Sequence, residues 1–239
     1  KDEISSSQFK KDLGSPVENR VSHSDTKFLV NLDYLLTFEE LYFLQGVIDI
    51  SHEIESVCEV GGGFGRFAHV LLERESSIRT YSIIDLPQVL EVSREYLRRV
   101  LPVQLFDKCI FISAEHESKF PAKADLAIQI DGLQEMTEAA INRYMTLFGN
   151  STYFFSKNVV AKYLPLHAGL ANIEIRVPLE LGRSRDILDI WNISDLSDCY
   201  SSHLESYLPD GHQIVRHIPC RIWPHYLQFL SMREASTND

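Results

Sequence analysis

The sequence predicts an α/β fold, a mostly parallel seven-stranded sheet with helices on both faces and an antiparallel hairpin at its C-terminal end. Three observations carry this. Short apolar, partly β-branched runs alternate with helical-period segments in the order β-α-β-α-β-β-α-β, and such near-continuous strands need cover on both faces. The first strand leads into four glycines in five positions, Gly61 to Gly65, and then into a helix. Two further strands lie only a few residues apart near the C-terminus, which suits a hairpin at the sheet edge.

Taken in order, residues 1–30 read as a flexible N-terminal arm, polar and without sustained period, and residues 31–239 as a single domain. A helix over 31–50 has Phe38, Leu41, Tyr42, Leu44 and Ile48 at helical spacing and covers part of the cleft at the glycine loop. Thr37 to Glu40 has the T-x-x-E form of a capping box. Val57 to Val60 is the first strand and Phe67 to Leu72 the helix after the loop. Thr80 to Asp85 is a buried strand ending in an acid. Pro87 then opens a helix running to Val100, with Glu95 and Arg99 paired across one turn. Cys109 to Ile112 and Asp125 to Asp131 are the third and fourth strands. Thr137 caps a helix that Gly149 ends, and Thr152 to Ser156 is the fifth strand. After an irregular stretch and a helix over Asp195 to Tyr207, His212 to Ile218 and His225 to Met232 form the hairpin.

The composition sets limits. A net charge of -11 over 239 residues works against a nucleic-acid partner, whose phosphates need Lys and Arg. No apolar run approaches the roughly 20 residues of a membrane span. The four cysteines are scattered with no C-x-x-C pair, and read as reduced thiols of a cytoplasmic protein.

Spacing separates the ligands that the glycine loop can take. A dinucleotide loop G-x-G-x-x-G starting at Gly61 needs a small residue at the position of Arg66, and no Gly-Lys-Ser/Thr follows for a phosphate loop. Glu59-x-Gly61-x-Gly63-x-Gly65 instead resembles the first motif of class I S-adenosylmethionine-dependent methyltransferases. Glu59-Val60-Gly61-Gly62-Gly63-Phe64-Gly65-Arg66, Ile83 to Pro87, Gln134-Glu135-Met136 and Phe154 to Asn158 together resemble the bacterial sugar O-methyltransferase family. Asp131-Gly132-Leu133 departs from the Asn-Ser-type turn expected before Gln134.

The resemblance implies a Rossmann-like class I methyltransferase fold that transfers methyl from S-adenosylmethionine to a sugar hydroxyl. It also implies that Glu59, Gly61, Gly62, Gly63, Gly65, Asp85, Leu86, Ser113, Ala114 and Asp131 bind cofactor, with Asp85 on the ribose hydroxyls. Parallel sheets bind ligands at the carboxyl ends of their strands, which groups Asp131, Glu135 and Asn158 with Glu59 and Asp85. Glu135 or Asp131 is then the general base, and Lys157 or Asn158 orients the acceptor. Asp131, Glu135 and Asn158 are also donors of the kind Mg²⁺ accepts, but the adjacent acidic pair that would favour a metal after the fifth strand is absent. His116 and His167 are alternative bases, and Arg176, Arg183 and Arg185 read as solvated. A cofactor-binding scaffold without turnover, and a methyltransferase for a non-sugar small molecule, are the competing functions.

Overall fold

The computed structural model describes residues 18–23, 26–163, 180–188 and 192–235. Two short strands, β1 (Glu18–His23) and β2 (Thr26–Asn31), pair antiparallel. But for Asn31, both strands fall within the stretch read from the sequence as a flexible arm, 1–30. Helix α1 (Leu32–Gln45) follows, then a single turn, α2 (Ile50–Glu53). Strand β3 (Ser56–Val60) leads into α3 (Arg66–Arg74), and β4 (Thr80–Asp85) into α4 (Pro87–Val100) and α5 (Val103–Phe106). Strands β5 (Cys109–Ser113) and β6 (Leu126–Ile130) precede α6 (Glu138–Gly149) and β7 (Tyr153–Val159). A two-residue pair, β8 (Lys162–Tyr163) and β9 (Ile187–Leu188), comes next. Then follow α7 (Ile193–Asp198), α8 (Tyr200–Tyr207), β10 (His212–Pro219) and β11 (Tyr226–Arg233).

The seven-stranded sheet has the order β10-β11-β7-β6-β3-β4-β5. All its pairs are parallel except the two that β11 makes, with β7 and with β10. The order reverses at β3, so the crevice opens at the carboxyl ends of β3, β4 and β6, where an open α/β sheet binds its ligand.

Alternation along the strands builds two cores. Val57, Tyr81, Ile83, Leu126, Ile128, Phe155 and Leu230 pack with α1, α3 and α4 on one face. Cys58, Val60, Ile84, Ala127, Phe154 and Phe229 pack with α6 and α8 on the other. Phe148 and Phe154 stack with centroids 4.2 Å apart, and each buried phenylalanine contributes about 1.5–3 kcal/mol.

The caps show where local chemistry decided an element. Thr137 accepts from Ala140 N and Pro87 sits in the first turn of α4, both as the sequence predicts. The start of α1 differs. Asn31 Oδ1 accepts from the N–H groups of Asp33 (3.0 Å) and Tyr34 (3.3 Å), and Thr37 is buried within the helix. Thr37 Oγ1 instead donates to Asp33 O and accepts from Arg66, so the T-x-x-E run is a packing surface, not a capping box. Glu95 pairs with Arg99 at 2.6 Å as expected. All four cysteines are free thiols. Among the described residues, no helix is long and apolar enough to cross a membrane.

Candidate functional site

Strand β3 delivers the glycine loop to the crevice. Gly61, Gly63 and Gly65 all have positive φ. At Gly65 that conformation starts α3 and a Cβ would lie 2.9 Å from the Leu97 side chain, so only glycine fits without displacing α4. Beyond Gly63 there is open space. Glu59 lies beneath the loop, 3% exposed, with Tyr81 Oη donating to its Oε2 at 2.8 Å. Burial pushes its carboxyl up to about 7, against the opposing pull of the Tyr81 hydrogen bond and of Arg66.

Asp85, at the end of β4, clamps the mouth of the loop. Its Oδ2 accepts from Gly63 N at 3.0 Å and its Oδ1 from Leu86 N at 2.8 Å. Burial raises its carboxyl despite these two hydrogen bonds. The Leu86 side chain beside it is 50% exposed, an apolar surface at the crevice. Ala114 N donates to Asp85 O, which brings the end of β5 alongside, while Ser113 Oγ is occupied locally by Glu115 N.

Arg66, the residue that breaks the dinucleotide pattern, turns away from the loop. Its guanidinium donates to Asp33 O (2.8 Å), Thr37 Oγ1 (2.7 Å) and Glu40 Oε1 (3.2 Å) on α1. Burial alone would lower it, and Glu40 more than offsets that, holding it above its ordinary range. Lys157 reaches the same Glu40 oxygen from β7 at 2.8 Å and is only 4% exposed in its side chain. The sequence offered an acceptor-orienting lysine; the structure instead spends its ammonium on Glu40, because α1 brings a buried carboxylate over the strand.

Asn158 is likewise corrected. It has no exposed surface, and its Oδ1 accepts from the N–H groups of Gly132 and Leu133, each at 3.1 Å. Its amide also faces Gln129 (2.6 Å) and Ser156 (2.9 Å). Asn158 therefore holds the turn after β6 and does not face an acceptor. That turn carries Asp131, which with φ 56° is the sole non-glycine among the described residues in the left-handed region. Asp131 Oδ1 accepts from Gln134 (2.5 Å) and from Tyr226 Oη (2.7 Å). Glu135 is exposed beside it; burial of its carboxyl and then the Asp131 charge raise its pKa.

The turn between β10 and β11 completes this side and was not singled out from the sequence. Trp223 and His225 stack with ring centroids 5.9 Å apart, and His225 meets Tyr226 edge-on at 4.9 Å. Burial lowers the His225 imidazole and Asp131 opposes it. The run Trp223-Pro224-His225-Tyr226 was the available signal, but only strand pairing with β7 brings it to Asp131.

His116 is exposed in the turn after β5, and His167 and Arg176 lie outside the described residues. Arg183 is not solvated: it pairs with Glu138 at 3.0 Å, donates to Asn142 and Ser206 O, and is 21% exposed. Arg185 stays exposed, donating to Gly182 O at 2.8 Å. Among the described residues, no group of three or more His, Cys, Asp or Glu side chains is placed to hold a metal.

No protein-family model matches the chain, and neither does any curated protein. Solved structures do share its fold. Mitomycin 7-O-methyltransferase MmcR is 15% identical over 86% of this chain, with TM-score 0.58. The methyltransferase domain of bacterial CtHen1 is 14% identical, with TM-score 0.59 over 86% of this chain and 100% of its own length. Magnesium protoporphyrin IX methyltransferase ChlM from Synechocystis PCC 6803, solved with bound SAH, is 14% identical with TM-score 0.55, covering 84% of each chain. The chain spans 55% of the length of the mitomycin enzyme. These likenesses establish a Rossmann-like methyltransferase fold.

Proposed function

We propose that this chain is an S-adenosylmethionine-dependent O-methyltransferase whose acceptor is a hydroxyl of a sugar. The observation that carries the cofactor reading is the Asp85 clamp: one carboxylate receives Gly63 N and Leu86 N while open space lies beyond Gly63. Two of its lone-pair positions are so used, and the others suit the two hydroxyls of a ribose. Leu86 offers an apolar surface for an adenine ring, and Glu59 beneath the loop offers a carboxylate to a cationic methionine end. Arg66 argues against a pyrophosphate, since its guanidinium is spent on α1.

S-adenosylmethionine, when bound, supplies a methyl group on a positively charged sulfur. The chain must align an acceptor oxygen in line with it and take that oxygen's proton. Glu135 is the proposed base, because a carboxyl raised by partial burial and by Asp131 is shifted toward neutral pH, where general bases work best. Asp131, already engaged by Tyr226 and Gln134, positions the turn. The Trp223 and His225 rings offer apolar faces on which a sugar ring can lie, and this is what favours a sugar among small-molecule acceptors.

Thermal stabilisation by S-adenosylhomocysteine but not NAD tests the cofactor; stabilisation by NAD alone overturns the reading. Methyl release from labelled cofactor over sugars, sugar nucleotides and phenols tests the acceptor. Stabilisation with no transfer to any of them would favour the scaffold reading, and transfer to phenols alone would remove the sugar. Glu135→Gln is expected to abolish turnover and leave S-adenosylhomocysteine binding intact.

A further inference from the structure

Three polar side chains meet in the apolar packing beside the glycine loop. Tyr34 of α1, His69 of α3 and Tyr96 of α4 are all buried, and each comes from a different helix. Tyr34 Oη lies 2.7 Å from His69 Nδ1 and is also hydrogen-bonded to Tyr96 Oη. On the far side of the imidazole, Glu73 Oε1 lies 3.3 Å from Nε2. One run of donors satisfies this set: Nε2–H faces Glu73, which leaves Nδ1 to accept from Tyr34, and Tyr34 to accept from Tyr96. The two phenols differ accordingly. Burial raises the Tyr96 hydroxyl and donation to Tyr34 raises it further, while Tyr34 is raised by burial and the bond it accepts opposes this.

Tyr96 carries this network to the loop. Phe64, between Gly63 and Gly65, meets the Tyr96 ring edge-on, with centroids 5.0 Å apart and an interplanar angle of 85°. Leu97, the next residue of α4, fills the place that a Cβ on Gly65 would take. On the other side of Phe64, Gly63 N donates to Asp85. Apolar side chains at 34, 69 and 96 would fill the same space without burying polar groups, so what the network adds is a fixed geometry. A tyrosine tied by its hydroxyl to two other helices holds its ring in one orientation, and a phenylalanine there packs but is free to tilt.

We propose that Tyr96 is a positioning residue for the cofactor: held by Tyr34 and His69, its ring fixes Phe64 and so keeps Gly63 N–H on the Asp85 carboxylate before S-adenosylmethionine arrives. A loop already formed spares binding the cost of ordering it. The inference rests on the cofactor reading above. Tyr96 acts through Phe64 and takes no part in the chemical step. Tyr34 joins α1 to the same device, because its neighbour Asp33 offers the carbonyl that takes Arg66, the residue directly after the loop. The loop is thus held from both ends, at Phe64 by α4 and at Arg66 by α1.

The test is calorimetric titration of the full chain with S-adenosylhomocysteine, at a temperature where every variant is folded. Tyr96→Phe keeps the ring, removes the hydroxyl and is expected to weaken binding about threefold to tenfold. Tyr34→Phe removes the acceptor of Tyr96 without touching the loop and is expected to weaken binding by about as much, whether or not the first variant folds. Phe64→Leu breaks the ring contact itself. In that background Tyr96→Phe is expected to weaken binding less than about twofold further, because both changes act through one contact; a hydroxyl that served only general stability would not show this coupling. Undiminished binding in either hydroxyl variant, or effects of Phe64→Leu and Tyr96→Phe that multiply in full, overturns the proposal and leaves the cofactor reading standing. A parent chain that binds no S-adenosylhomocysteine overturns both.

Discussion

Lys157 donates to Glu40 across 2.8 Å, although the two are 117 residues apart in sequence. The same carboxylate oxygen also takes Arg66 at 3.2 Å. One acid on α1 thus ties the first residue of α3, directly after the glycine loop, to the end of β7. Breaking a buried ion pair from one side leaves the other charge unpaired, which costs about 3–5 kcal/mol. Glu40→Ala is expected to lose at least that much, measured by denaturant unfolding, because it strands two cations. Lys157→Met should cost clearly less, since Glu40 keeps Arg66.

Asn158→Ala is expected to lower stability by about 1–3 kcal/mol by removing the acceptor of Gly132 N and Leu133 N. Its Tm should fall and turnover with it, because the loosened turn carries Asp131 and Glu135. Glu135→Gln should cost turnover with an unchanged Tm. Equal Tm for the two variants would show that Asn158 does not support the turn.

Glu59 predicts a pH dependence of both stability and binding. Its carboxyl stands at about 7 in the fold against an ordinary 4.5. The folded state holds that proton longer, so the contribution is fully present below pH 4.5 and is lost as pH rises through about 7. Glu59→Gln should flatten that decline, which the shift sets at about 3 kcal/mol. A cationic cofactor favours the ionised carboxylate, so S-adenosylmethionine affinity should rise between about pH 6 and 8 in the parent chain. Calorimetry over that range on both proteins checks the slope, and a parallel rise in Glu59→Gln would assign it elsewhere.

His203 predicts the opposite slope on the acid side. It is 3% exposed, and burial lowers its imidazole to about 4 from an ordinary 6.5. The unfolded chain takes the proton first, so stability is full above pH 6.5 and falls toward pH 4, by about 3 kcal/mol in all. His203→Phe should remove that slope in acid unfolding curves, and an unchanged slope would place the titrating group elsewhere.

Much of the chain was legible because its signals are local. Thr137 and Pro87 mark helix starts through their own backbone chemistry, and the glycine spacing follows from φ angles and from Leu97 behind Gly65. The Ser156-Lys157-Asn158 run misled at the level of roles. Its side chains are spent on Gln129, Glu40 and the turn at Gly132, all brought near by strand pairing and by α1. Thr37 misled for the same reason, since Asn31 six residues earlier took the cap and Arg66 took the threonine.

By itself, then, the sequence determined the order of the seven strands of the main sheet, the position of the glycine loop and the acid of Asp85, because periodicity and backbone conformation act over a few residues. Only the tertiary structure decided which polar side chains face the crevice and which are spent on holding it together. Those choices depend on partners tens of residues away, as between Lys157 and Glu40 or Tyr226 and Asp131, and a buried polar group takes whichever partner the packed sheet brings within reach.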